Sequence, residues 1–247
     1  MLKKLYVIKR EIVMKKILVC NQKMFLTYDE AKELRDELIN YNNDNLIIAP
    51  NFLNMKLYKS FNLCSQNCFY EVNGAYTGEV SCYHLNLIGV KYVLIGHSER
   101  RIYDDNKIIN KKIKSALSNA LTPIICIGES YLDNQMCRTS SVLKKQVVEA
   151  LKDVDLNSEI IIAYEPTWVI GKKVTLNKSI IDDVSSYIKK VLNELGYNNY
   201  KLLYGGSVSL ENIKSIITDK VDGYLLGSSS CNINEVKEII KCINNVN

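Results

Sequence analysis

The chain has 247 residues, 47% of them hydrophobic and 24% charged, with a formal net charge of +5. These proportions describe a globular protein large enough to fill a core without disulfide or metal staples. Its mild basic excess is spread through segments that also carry Asp and Glu, so it forms no stripe suited to nucleic acid, and no stretch is long and apolar enough to span a membrane.

Residues 1–13 mix charge into their apolar positions and read as an N-terminal extension. Met14 then opens a segment that runs directly into a first strand. Short apolar runs follow at Ile17–Asn21, Leu46–Ala49, Asn62–Gln66, Tyr92–Ile95, Pro123–Ile127, Glu159–Ala163, Lys201–Tyr204 and Gly223–Leu226. They are continuous rather than alternating, as expected of strands buried on both faces of a parallel sheet.

Between them lie stretches with apolar residues near the 3.6-residue period. These are Tyr28–Tyr41, Asn106–Ala120, Ser140–Lys152, Asn177–Leu195, Leu210–Thr218 and Asn234–Ile243, with shorter segments near 52–59 and 81–88. Val236, Ile239 and Ile240 share one face of the last of these helices, and Gly196 stops the longest. This alternation of β and α units predicts a single-domain (β/α)8 barrel over residues 14–247. An open doubly wound sheet is the alternative, but no GxGxxG follows the first strand.

Eight cysteines form no CxxC pair, and His84 and His97 are the only histidines, so no metal site is expected. Without a secretory signal, a reducing cytoplasm is the expected location.

A barrel of this kind gathers the residues that follow each strand on one rim. Here those are Asn21 and Lys23, Gly96-His97-Ser98-Glu99-Arg100-Arg101, Glu165, Gly205-Gly206-Ser207 and Gly227-Ser228-Ser229-Ser230. A carboxylate able to take a proton, an imidazole able to polarise an oxygen and a lysine able to balance charge are therefore expected to meet. The two glycine-containing turns expose N–H groups of the kind that cradle phosphate. Together they suit proton movement next to a carbonyl on a small phosphorylated molecule. Each residue alone has a plainer reading: a solvated loop carboxylate, a structural histidine, a surface lysine, a tight turn. Arg100 and Arg101 read as partners in structural ion pairs. The run Pro166–Gly171, which contains the only Trp, reads as a flap over Glu165.

Several stretches resemble the triosephosphate isomerases, in that family's order. They are Asn21-Gln22-Lys23-Met24, Asn73-Gly74-Ala75-Tyr76-Thr77-Gly78-Glu79, Gly96 to Arg101, Cys126-Ile127-Gly128-Glu129, Ala163-Tyr164-Glu165-Pro166-Thr167-Trp168, Tyr204 to Val208 and Asp222 to Gly227. The resemblance implies a TIM barrel without a cofactor, acting on a triose phosphate. It makes Glu165 the base, His97 a neutral electrophile at a helix N-terminus, and Lys23 the balancing charge beside Asn21. The N–H groups of Gly171, Ser207, Gly227 and Ser228 would hold the phosphate under a lid at residues 166–172. Glu99 and Cys126 would support from behind. The loop around Thr77 would reach into a second subunit, making a homodimer.

Three departures from the family pattern stand out. Gln22 occupies a position where Trp is usual and reads as peripheral. Gly171-Lys172-Lys173 replaces a Gly-Thr-Gly hinge, which restricts positive φ. Ser228 replaces a glycine, and a left-handed backbone there would cost about 1–2 kcal/mol. The expectation is an active isomerase with impaired phosphate binding or lid motion. The alternatives are another phosphate-binding barrel isomerase or a catalytically silent barrel.

Overall fold

In a computed structural model the protein is described at residues 15–172 and 174–244. The extension expected at residues 1–13, and Lys173 of the hinge, lie outside the described residues.

Eight parallel strands close on themselves in chain order: β1 (Ile17–Asn21), β2 (Leu46–Ala49), β3 (Asn62–Ser65), β4 (Tyr92–Ile95), β5 (Thr122–Ile127), β6 (Ile160–Tyr164), β7 (Tyr200–Tyr204) and β8 (Gly223–Leu226). Closure is made by β1 against β8, with Val19 level with Leu225. The open sheet is thereby excluded, and the fold is a TIM barrel.

Alternate residues of each strand serve different cores, which is why the apolar runs are continuous. Val19, Ile47, Ala49, Leu94, Ile124, Ile161, Leu203 and Leu225 fill the barrel interior. Their neighbours Leu18, Ile48, Ile95, Ile125, Ile162, Leu202 and Leu226 face outward against the helices. Each such Ile or Leu, fully buried, contributes about 1.5–3 kcal/mol from removing apolar surface from water.

The helices are α1 (Tyr28–Leu38), α2 (Cys82–Leu87), α3 (Asn106–Ser118), α4 (Tyr131–Gln135), α5 (Thr139–Ala150), α6 (Lys178–Glu194), α7 (Ile213–Ile216) and α8 (Ile233–Asn244). Thr27 starts α1 with a capping box: its hydroxyl accepts the Glu30 N–H while the Glu30 carboxylate accepts from the Thr27 backbone. Helix α6 buries Ile181, Ile188, Val191 and Leu192 on one face, and α8 buries Val236, Ile239, Ile240 and Ile243. Gly196 follows α6 with φ +88°, the left-handed stop that glycine provides.

Two elements differ from expectation. The Leu210–Thr218 helix shrinks to the single turn α7, because Asn212 competes for the backbone ahead of it. Its side-chain oxygen accepts the Ser209 N–H (3.0 Å) and its amide donates to the Ser207 carbonyl (2.8 Å). The short helix α4 was not anticipated, although Ser130 and Asp133 form a capping box at its start. The 52–59 segment is a 3-10 helix, Phe52–Tyr58.

Candidate active site

Because all strands run one way, their C-terminal ends converge on one rim, and the residues just beyond them line a cavity of about 480 Å³. Asn21, Lys23, His97, Glu165, Gly171, Ser207, Gly227 and Ser228 all border it. The polar residues expected to meet therefore do so.

Strand β6 ends at Tyr164, one residue later than the apolar run suggested, and Glu165 is the first residue past it. Its N–H donates to the Ile127 carbonyl at 2.8 Å, continuing the sheet pairing for one more residue and fixing where the side chain starts. Two glycines make room for it. A Cβ on Gly128 would lie 1.8 Å from the Glu165 carbonyl oxygen, and one on Gly205 would lie 2.9 Å from its Cγ. Glu165 is only 5% exposed, and its Oε2 has no hydrogen-bond partner among the described residues. A buried polar oxygen without a partner is costly, and it leaves this atom open to a group bound in the cavity.

His97 is equally buried, and its Nε2 lies 3.5 Å from Glu165 Oε1. That separation is too long for a strong hydrogen bond. The other ring nitrogen, Nδ1, accepts the Glu99 N–H at 3.2 Å at the start of a 3-10 turn, Ser98–Arg100. An accepting Nδ1 carries a lone pair, so the ring is neutral and presents Nε2–H to the cavity. The helix N-terminus expected behind His97 is thus a single tight turn, and a specific backbone bond supplies the orientation.

Lys23 stands at φ +50°, with its N–H donating to Asn21 Oδ1 (3.1 Å) and its Nζ donating to Glu99 Oε1 (2.6 Å). Partial burial works against the Glu99 charge, but the Lys23 hydrogen bond and charge outweigh it and hold that carboxyl below its ordinary range. Behind Glu165, burial first and the Glu165 carboxylate second push the Cys126 thiol far above the usual thiol range. Cys126 is therefore a packed, protonated neighbour.

The Arg pair makes no ion pair among the described residues, contrary to expectation. Arg101 donates to Asn106 Oδ1 and to the Cys126 carbonyl, each at 2.9 Å, and the Arg100 guanidinium lies 5.0 Å from the centre of the Tyr103 ring.

The opposite wall is backbone. Among the described residues, the N–H groups of Gly171, Gly227 and Ser228 donate to no protein acceptor, whereas that of Ser207 turns back on the Gly205 carbonyl (3.1 Å). Gly171 has φ +71°, while Ser228 is absent from the positive-φ residues and begins the 3-10 turn Ser228–Cys231. The left-handed strain anticipated at Ser228 does not arise, and its side chain is exposed.

Side chains that the sequence left without a role hold the flap. Glu129, 1% exposed, accepts Trp168 Nε1–H at 2.9 Å and lies 3.3 Å from the Tyr164 hydroxyl. Its carbonyl accepts both the N–H and the hydroxyl of Thr167 at 3.0 Å. Ser207 Oγ donates to the Val169 carbonyl (2.6 Å), and Tyr204 Oη accepts the Leu176 N–H (3.3 Å). The flap is thus latched at its N-terminal end and in the middle, and the chain is held again at Leu176 just beyond it. The only sequence signal for Glu129 was its place in the Cys126–Glu129 motif.

Among the described residues no group of three or more His, Cys, Asp or Glu could hold a metal ion. The chemistry on offer is proton transfer and polarisation at one wall, with anion binding at the other.

Comparison with known proteins agrees with that chemistry. The family model described as triosephosphate isomerase matches residues 16–243. A triosephosphate isomerase of Thermodesulfovibrio yellowstonii is 41% identical over 243 residues, covering 92% of this chain and 99% of the relative. One from Mycoplasmopsis pulmonis is 37% identical over 247 residues, covering 92% and 98% respectively. One from Thermoanaerobacter sp. is 38% identical over 243 residues, covering 91% and 98%. The matched rim, the closed parallel barrel and these relatives together place the chain in the triosephosphate isomerase family.

Proposed function

We propose that the protein interconverts dihydroxyacetone phosphate and D-glyceraldehyde 3-phosphate, an aldose–ketose isomerisation of glycolysis and gluconeogenesis. One observation carries the reading: the buried Glu165 carboxylate, its Oε2 without a partner among the described residues, holds its Oε1 3.5 Å from Nε2 of a neutral His97, across the cavity from open backbone amides. This division of labour is the established one for the family.

The phosphate binds at the N–H groups of Gly171, Gly227 and Ser228, with the Ser207 N–H exchanging its tightly curved bond to Gly205 for the same anion. The carbon chain then lies between Glu165 and His97. Glu165 takes a proton from the carbon next to the carbonyl, His97 Nε2–H donates to the oxygen where negative charge develops, and Lys23 balances the enediolate with Asn21 alongside. Glu165 returns the proton to the neighbouring carbon. The flap at residues 166–172 keeps water from the intermediate while this occurs.

A homodimer fits the same reading. Residues 71–79, around Thr77, are exposed throughout, and the apolar Met24, Phe25, Ile102 and Tyr103 are open beside the Lys23 and His97 loops. All eight cysteines are free, which suits a reducing cytoplasm. Among the described residues no helix is long and apolar enough to cross a membrane.

No observation favours a silent barrel or a different phosphate-binding isomerase. The test is a coupled assay of glyceraldehyde 3-phosphate isomerisation with purified protein. Turnover is expected, and folded protein with no turnover rejects the proposal.

A further inference from the structure

The residue between Asn21 and Lys23 is not peripheral. Gln22 is 1% exposed, and its Nε2 donates to Tyr58 Oη at 2.9 Å. Tyr58 in turn donates to the Ala31 carbonyl in the first turns of α1, also at 2.9 Å. Burial first, opposed by the Gln22 bond, pushes the Tyr58 phenol up to about 12, so it keeps its single proton at ordinary pH. That proton goes to a carbonyl, which has none to return. Gln22 must therefore be the donor in the first link, and its amide orientation is fixed.

The main chain of Gln22 is pinned as well. Its N–H donates to the Ala49 carbonyl (3.0 Å), and its own carbonyl accepts from the Phe25 N–H (3.3 Å) and the Cys231 thiol (3.6 Å). Its Oε1 is left buried with no partner among the described residues. An unpartnered buried oxygen opposes the placement, so the Nε2 bond and the backbone bonds hold the residue there.

Lys23 comes next, in a left-handed conformation that a residue with a side chain rarely adopts. Its carbonyl accepts Gln66 Nε2–H at 2.8 Å. Such a backbone persists only where the surroundings over-determine it.

We propose that Gln22, acting through Tyr58, is a positioning residue for Lys23. The chain Gln22–Tyr58–Ala31 fastens the turn at residues 21–23 to α1 and thereby sets where the Lys23 ammonium stands relative to the anionic substrate. A polar anchor thus occupies the position where the family usually has Trp. The inference rests on the reading of Lys23 as the substrate's balancing charge.

The test is the dissociation constant of 2-phosphoglycolate, with kcat and KM alongside, for the parent, Gln22→Leu, Tyr58→Phe, Lys23→Ala and the Gln22→Leu/Lys23→Ala pair. Tyr58→Phe deletes one oxygen from a packed ring and keeps the test open if Gln22→Leu fails to fold; its pair with Lys23→Ala then completes the cycle. Each change at the anchor is expected to weaken binding about fivefold, the size of one lost neutral hydrogen bond, and to raise KM more than it lowers kcat. In the Lys23→Ala background the same change is expected to cost nothing further. An equal loss in both backgrounds overturns the inference, because Gln22 would then act on the fold at large. If Lys23→Ala alone binds as tightly as the parent, the reading of Lys23 itself falls, and the inference with it.

Discussion

The two walls of the cavity are built by different means. One consists of side chains at strand ends: Glu165 and His97, each about one-twentieth exposed, with Lys23 tied to Glu99. The other consists of backbone N–H groups on loops and on the flap, at Gly171, Ser207, Gly227 and Ser228. A side-chain wall depends on residue identity, because no other group reproduces a buried carboxylate facing a neutral imidazole. A backbone wall depends on chain path, and any residue that follows the path supplies the same donor. Of the family departures, Lys172 and Ser228 border the cavity on the backbone wall, whereas Gln22 stands next to Lys23 on the side-chain wall.

Mutation should separate the walls by magnitude. Glu165→Gln keeps the shape and removes the base, so kcat should fall by at least ~10²-fold in steady-state assays. A rate near the parent's would remove Glu165 from the role. Gly205→Ala changes the identity of no reacting group but sets a methyl 2.9 Å from Glu165 Cγ. Displacement of the carboxylate should lower kcat/KM on the order of tenfold or more, with melting temperature as the control for folding.

At the flap, Trp168→Phe removes the Nε1–H donated to buried Glu129. The latched state should be less populated, and 2-phosphoglycolate affinity should drop about fivefold while the base is untouched. Ser228→Gly should do least. With no positive φ to relieve and an exposed side chain, phosphoglycolate affinity should stay within about twofold of the parent. A tenfold gain would mean that Ser228 crowds the phosphate after all and that identity matters on both walls.

The same contrast explains what could be read from the sequence. The strands were legible because two cores make their apolar runs continuous, and seven of the rim residues, Asn21, Lys23, His97, Glu165, Ser207, Gly227 and Ser228, could be named from their positions at or just beyond the ends of those runs. The boundary of β6 slipped by one because Glu159 and Tyr164 flank an apolar stretch whose pairing, not hydropathy, decides the ends. Helix α7 misled because Ile213, Ile216 and Ile217 keep helical spacing while Asn212 diverts the preceding backbone. The latches at Glu129, Tyr204 and Ser207 were not legible, since each depends on a long-range hydrogen bond that leaves no local pattern. The burial of Gln22 was not legible for the same reason, its partner Tyr58 being 36 positions away.

The central claim is that Glu165 moves a proton between adjacent carbons through an enediolate. Turnover of dihydroxyacetone phosphate in D2O, followed by proton NMR of the product, tests it most directly. A base that holds the abstracted proton exchanges it with solvent, so the account predicts carbon-bound deuterium in glyceraldehyde 3-phosphate, with its formation suppressed along with turnover in Glu165→Gln. Full turnover that places no deuterium on carbon would contradict it.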